Sequence, residues 1–302
     1  MRYQKGCIAL SRTRDYPLLR QVLRSKYITH SQLFEFMKLD QSATSRRAFN
    51  NRVLRLVRHN LILRHQVCFL ARDAVYSIAD LGASHLLSLG ESYTGPTQGL
   101  SAKDYMAGLQ HALDLNEIHL ALERSGNLVT WTAETEIRSR NELTSARLGK
   151  NYDAVVRVRV GEVECRFALE YERTPKAEKH YLRIAGDIDS DLTLNRFLYL
   201  VPNYDVMAFV SMYFWKAEHQ VYFGLVKDFL GRVLETSVMV CGRGLSGNPF
   251  SSIGFERAHN PLLALTDADE FAEALVTDTP PRPAGQERIV AVNRAGTVPA
   301  PA

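Results

Sequence analysis

The 302-residue sequence lacks long apolar runs and has few cysteines. None of its apolar runs reaches the roughly eighteen residues of a membrane span, and the N-terminal stretch "MRYQKGCIALSRTRDY" has no apolar core of the kind found in signal peptides. The four cysteines are scattered without C-x-x-C spacing, which disfavours a disulfide framework and a structural zinc site. We therefore expect a cytoplasmic protein with no membrane partner, long enough for two domains.

Positive charge is concentrated near the N-terminus. Residues 1–80 contain 15 Lys and Arg against 5 Asp and Glu, while the remainder contains 22 against 28. Such a basic module is typical of proteins that bind the phosphate backbone of nucleic acids, although a solvated basic surface is the alternative. We expect double-stranded DNA as the partner.

The basic module has the pattern of a winged helix-turn-helix. The segments "LLRQVLRSKY", "ITHSQLFEFMKLD" and "SATSRRAFNNRVLRLVRHNLI" predict three helices, the second with Thr29 as N-cap and Gln32 three positions later. The segments "LILRHQVCFL" and "AVYSIA" predict a two-stranded wing. In this arrangement the third helix enters the major groove, and a protein-interaction role is the alternative. The predicted DNA-contacting side chains are Arg46, Arg47, Asn50, Asn51, Arg55 and Arg58.

Three regions are predicted: a DNA-binding domain over residues 1–95, a second domain over 96–276, and a Pro-rich disordered tail over 277–302. The second domain begins with a long helix in which His111 is interpreted as a packed side chain. A strand over 128–137, a polar loop over 138–150, a hairpin, a helix over 174–198 and an apolar strand over 204–214 follow, then strand-like "QVYFGLV" and helix-like "NPLLALTDADEFAEALV". We expect an α+β protein whose second domain contains a mixed sheet.

The hairpin "NYDAVVRVRVGEVECRFALEYERT" places acidic residues together. A two-residue turn at Gly161-Glu162 pairs Val160 with Val163, and the same register sets Asp153 opposite Glu170. Directly paired side chains have Cβ atoms about 5 Å apart, so two like charges there oppose folding unless a cation or a proton intervenes. An ordinary polar hairpin face is the alternative. It accounts for the middle of the hairpin and less well for its acidic end.

The order of these elements resembles the PD-(D/E)XK nuclease-like fold. More narrowly, the chain resembles the replication-relaxation family of plasmid and mobile-element proteins, in which a winged helix precedes a nuclease-like domain. The matching motifs are "HALDLNEIHLAL", "WTAE", "YDAVV" and "LEYERT", and the resemblance covers roughly residues 15–210. It implies a homodimer on DNA, and mobilisation or replication proteins as further partners.

The resemblance also implies a site for Mg²⁺ or Mn²⁺. Asp153 and Glu170 match the two metal-binding acids, Glu134 is a further ligand candidate, and Asp153, Glu170 and Glu172 are the candidate catalytic residues. The nuclease pattern places a lysine where this chain has Glu172, although Lys150 or Lys176 could reach the site from neighbouring segments. We therefore expect a DNA-binding accessory or regulatory protein with a degenerate nuclease-like domain. The alternative is a metal-dependent endodeoxyribonuclease.

Overall fold

The computed structural model describes residues 8–43, 45–67, 73–91, 102–145, 147–241 and 244–253. Its N-terminal elements are α1 (Asp15–Ser25), β1 (Ile28–Thr29), α2 (His30–Leu39), α3 (Arg46–Arg58), β2 (Ile62–His65), β3 (Val75–Ile78) and α4 (Asp80–Leu87). The three predicted helices and the two strands after them are confirmed. β1 joins those strands in an antiparallel sheet of order β1-β3-β2.

Local sequence signals set the helix starts in this region. Thr29 caps α2 as predicted: its hydroxyl accepts from the Gln32 amide at 3.1 Å, and the Gln32 side chain accepts from the Thr29 amide at 3.2 Å. Ser45 caps α3 by accepting from the Ala48 amide. The helices bury an apolar core that includes Leu18, Leu19, Val22, Leu33, Phe49, Val53 and Leu56.

The long helix α5 (Ala102–Ser125) packs on two cores. Leu120 belongs to the core of α1, α2 and α3, whereas Ile118 and Leu122 pack against the large sheet. The described residues accordingly all belong to one compact unit. The predicted boundary near residue 95 falls outside the described residues, and so do the predicted helix over 260–276 and the tail over 277–302.

The remaining elements build a seven-stranded mixed sheet of order β10-β9-β8-β7-β6-β5-β4. They are β4 (Leu128–Ala133), α6 (Glu134–Leu143), β5 (Ala154–Val160), β6 (Val163–Tyr171), α7 (Glu178–Asp189), β7 (Arg196–Val201), α8 (Tyr204–Ser211), β8 (Gln220–Leu225), α9 (Val226–Arg232), β9 (Ser237–Val240), β10 (Gly244–Pro249) and α10 (Phe250–Ile253). β6, β7 and β8 run parallel, and the other pairings are antiparallel. The predicted mixed sheet and the strand at "QVYFGLV" are confirmed.

Two predicted elements are shorter than expected, and a third is of the wrong type. The strand predicted over 128–137 ends at Ala133, and α6 occupies part of the predicted loop. The helix predicted over 174–198 ends at Asp189, and its last residues begin β7. The strand predicted over 204–214 is instead α8 followed by a 3-10 turn, because Asn203 caps a helix there by accepting from the Val206 amide at 2.9 Å.

The hairpin has the predicted register. Pairs run from Val160–Val163 at the turn to Ala154–Leu169 at the open end. Gly161 has a φ of +59°, which glycine adopts at no steric cost. Within the described residues, no helix combines the length and the apolar character needed to cross a membrane.

Candidate functional sites

The acidic residues predicted from the hairpin meet at its open end. Asp153 immediately precedes β5, Glu170 is the second-last residue of β6, and Glu172 follows that strand. Glu170 and Glu172 are 6% and 4% exposed, so both carboxylates are buried. Buried charges require partners, because removing a charge from water is costly unless another group compensates it. The question for this cluster is therefore which groups compensate it.

Each acid contacts a cationic side chain. The Lys150 ammonium lies 2.6 Å from Glu170 Oε1, and the Lys176 ammonium lies 2.8 Å from Glu172 Oε2. His111 Nε2, on α5, lies 3.0 Å from Asp153 Oδ1. His111 is packed on Tyr171, as interpreted from the sequence, and it also contacts Asp153. Both lysines considered in the sequence do reach the acids.

The backbone also holds Asp153. The Tyr171 amide donates to Asp153 Oδ2 at 2.8 Å, and the Tyr171 ring stacks on His111 with centroids 5.6 Å apart. Burial by itself would raise the pKa of Asp153, but His111, this amide and Lys150 together lower it to about 2. Burial lowers the pKa of His111, and Asp153 outweighs that effect, so the net shift is upward. Together these shifts favour a charged His111–Asp153 pair.

Glu170 behaves differently from Asp153. Burial raises the pKa of Glu170 to about 7, with Lys150 opposing the shift and the Asp153 charge adding to it. Near neutral pH this carboxyl group is thus partly protonated. The cation Lys150 thus lies beside Glu170 at this end of the hairpin, and the raised pKa of Glu170 favours a proton there.

A buried hydroxyl lies next to the acids. Tyr199 on β7 is the parallel-strand neighbour of Glu170 and is 1% exposed. Its hydroxyl has no hydrogen-bond partner among the described residues. Burial raises the pKa of Tyr199, and the charges of Glu170 and Glu172 raise it further, so the phenol stays protonated.

The predicted metal ligands do not form one coordination set. Glu134 begins α6 rather than lying on a strand, and its carboxylate pairs with Lys26. Among the residues that the structure describes, no group of three or more His, Cys, Asp and Glu side chains is placed to hold a metal ion. Lys150 and Lys176 contact Glu170 and Glu172 in this arrangement, and the Mg²⁺ or Mn²⁺ site stays a prediction.

The outer face of α3 carries basic side chains, in contrast to the acids at the end of the hairpin. Arg47, Asn51 and Arg58 are exposed and form one stripe, since they stand at i, i+4 and i+11 of a helix. None of the three makes a hydrogen bond or an ion pair with another described residue. Leu54, at i+7 of the same stripe, is 45% exposed. These side chains are available to a partner.

The other three predicted DNA-contacting residues are partly engaged within the protein. The Arg46 guanidinium lies over the Phe34 ring, 4.4 Å from its centroid. Asn50 Oδ1 lies 2.9 Å from a ring nitrogen of His30. Arg55 pairs with Asp15 at 2.6 Å, although 43% of its side chain is exposed. These three residues lie beside the exposed stripe of Arg47, Asn51 and Arg58.

Comparisons with family models, with curated proteins and with solved structures find no match to this chain. Sequence reasoning found the three acids of the cluster, but it missed His111 and Tyr199. The pairing of Lys176 with Glu172 had a local signal in the sequence, because the two residues are four positions apart. His111 lies 42 residues before Asp153 and has no local signal.

Proposed function

We propose that the protein binds double-stranded DNA through the exposed stripe of α3, with the N-terminal elements acting as a winged helix. The observation that carries the proposal is the set of exposed, unpaired side chains Arg47, Asn51 and Arg58. Arginine pairs bidentately with guanine and asparagine with adenine, and both also bind phosphates. The order of three helices and a small antiparallel sheet supports this assignment.

In this proposal the sheet domain is a nuclease-like scaffold whose acids are compensated by the protein's own cations. Glu170 and Glu172 each have an ammonium group within 2.8 Å, and Asp153 has His111. The resemblance to replication-relaxation proteins supports an accessory or regulatory role on a plasmid or mobile element, with a homodimer on DNA and mobilisation or replication proteins as proposed partners.

The test is a fluorescence-anisotropy titration of a labelled duplex pool with the full chain at several salt concentrations. Replacing two free arginines, Arg47→Gln with Arg58→Gln, should weaken binding about tenfold or more and reduce the salt slope by about 2. The matched control is Arg183→Gln with Arg232→Gln, which removes the same charge from exposed positions on α7 and α9. Equal losses in the two double variants would contradict recognition by α3.

A metal-dependent endonuclease is the second candidate. The observation that favours it is Lys150 beside Glu170, since a nuclease site needs a lysine close to its acids. Supercoiled plasmid should be incubated with the wild type, with and without Mg²⁺ or Mn²⁺. Metal-dependent nicking that Glu170→Gln abolishes would select the nuclease, and DNA binding without nicking would select the scaffold.

A further inference from the structure

A buried carboxylate contacts a partly exposed arginine of α3. Asp15, the first residue of α1, is 1% exposed. Its Oδ2 accepts from Nη2 of the Arg55 guanidinium at 2.6 Å and from the Ser11 amide at 2.7 Å. Its Oδ1 lies 3.6 Å from Arg52 Nε. Backbone and side-chain contacts therefore fix the position of this carboxylate before any partner binds.

The two arginines beside Asp15 differ in exposure. The Arg52 side chain is 11% exposed and also donates to the Ser42 carbonyl at 3.4 Å, so it is an internal partner of the carboxylate. The Arg55 side chain is 43% exposed. Its guanidinium has five N–H donors in a fixed fork, and within the described residues only Nη2 makes a hydrogen bond. Arg55 thus has donors left for a partner.

Arg55 is held in place, unlike the arginines of the exposed stripe. It lies one turn after Asn51 on α3, beside that stripe. Arg47 and Arg58 have no hydrogen bond or ion pair to another described residue, so each must be ordered when it binds. Ordering a long side chain is unfavourable, and the Asp15 contact already restricts Arg55 in the free protein. A planar fork in a fixed orientation suits bidentate pairing, which depends on geometry.

The charge of Asp15 also affects which acceptor Arg55 prefers. A phosphate bound to Arg55 would be repelled by the carboxylate that contacts the same guanidinium, whereas the O6 and N7 atoms of guanine are neutral acceptors. The carboxylate therefore shifts the preference of Arg55 from a phosphate toward a base edge. Arg47 and Arg58 have no such neighbour within hydrogen-bond distance, and their charge suits phosphates.

We propose that Arg55 recognises a guanine in the DNA and that Asp15 is its positioning residue. The inference rests on the proposed function, since it requires double-stranded DNA in contact with α3. It adds a residue that determines specificity and a buried residue that acts through it. The partner defined in this way is a duplex with a G·C pair at one fixed position.

The test starts with selection of preferred duplexes from a random library by the full chain. Anisotropy titrations then compare the selected duplex with versions in which each G·C pair is replaced by A·T. One replacement should weaken binding by the wild type about tenfold. The same replacement should have little effect on Arg55→Lys, which keeps the charge but lacks the fork. The matched control is Arg232→Lys, at an exposed position on α9, which should keep the wild-type discrimination.

Asp15→Asn tests the positioning role, because electrostatics alone predicts the opposite result. Removing a negative charge should by itself strengthen binding to every duplex. Loss of positioning should instead weaken binding to the selected duplex and reduce discrimination at the base pair that Arg55 contacts. In the Arg55→Lys background, Asp15→Asn should cause no further loss of discrimination. Asp15→Glu, which keeps the charge and moves the carboxylate, serves if thermal melting shows that Asp15→Asn does not fold.

The outcomes separate this inference from the proposed function. Wild-type discrimination in Arg55→Lys or in a folded variant of Asp15 would overturn the inference, and so would additive losses in the double variant. DNA binding that depends on Arg47 and Arg58 without preference for any G·C pair would overturn it too. In each of these cases the proposed function stands. If the wild type binds no duplex, the inference and the proposed function are both wrong.

Discussion

Two charged regions of this molecule differ in how their charges are compensated. At the open end of the hairpin, Glu170 contacts Lys150 and Asp153 contacts His111; burial raises the pKa of Glu170, whereas its partners lower the pKa of Asp153 despite burial. On α3, the side chains of Arg47, Asn51 and Arg58 are exposed and make no hydrogen bond or ion pair with other described residues. The comparison teaches that the buried charges determine stability and its dependence on pH. The exposed charges remain available for binding.

The largest expected effect tests whether Lys150 compensates the buried acids. Lys150→Met removes the partner of Glu170 and should destabilise the protein by about 3–5 kcal/mol at pH 8, as breaking a buried ion pair does. At pH 5 the loss should be smaller, because Glu170 is then protonated. Urea unfolding at both pH values measures the difference. The control is Lys38→Met. Lys38 forms an exposed surface pair with Glu35, and its replacement should destabilise the protein by less than about 1 kcal/mol.

The next effect is on how stability depends on pH. Because the pKa of Glu170 is raised from 4.5 to about 7, the folded state binds a proton that the unfolded state releases, and stability falls as pH rises between those values. Glu170→Gln should remove this loss, which amounts to about 3 kcal/mol between pH 4.5 and pH 8, because glutamine does not titrate. If the free energy of unfolding of the variant fell as steeply with pH as that of the wild type, the raised pKa of Glu170 would be refuted. Glu164→Gln, on the same hairpin, should leave the slope unchanged.

A smaller loss of stability is expected when Asp153 is replaced. Its pKa is lowered from 3.8 to about 2, so the folded state stabilises the carboxylate, and this contribution is present above pH 4 and lost as pH falls through about 2. Asp153→Asn should therefore reduce stability by about 2 kcal/mol at pH 7 and by nearly nothing at pH 2. Thermal melting across that range is the measurement. An equal or higher melting temperature for the variant at pH 7 would indicate that repulsion among the acids dominates.

The smallest effect on stability is expected on α3. Arg47→Gln with Arg58→Gln should change the free energy of unfolding by no more than about 0.5 kcal/mol, since neither side chain has a contact to lose. The same double variant should bind DNA more weakly. A large loss of stability would show that the stripe is structural, and the contrast between the two regions would then disappear.

Part of the fold could be predicted because its signals are short-range. The Thr29 capping box, the three N-terminal helices and the hairpin register all depend on residues within a few positions of one another. β7 and α8 were not found, because both segments are apolar and a short apolar run is compatible with either helix or strand. The Asn203 cap was the local signal that would have separated them.

The sequence by itself determined that three acids meet at the end of one hairpin and that one face of α3 is basic and exposed. Only the tertiary structure decided which groups contact those acids and how their pKa values shift. His111 reaches Asp153 across 42 residues, Lys150 reaches Glu170 across 20, and the balance between burial and these contacts shifts the pKa values of two neighbouring carboxyl groups in opposite directions. Desolvation and contacts between distant segments depend on how the whole chain packs, and no spacing along the sequence encodes them.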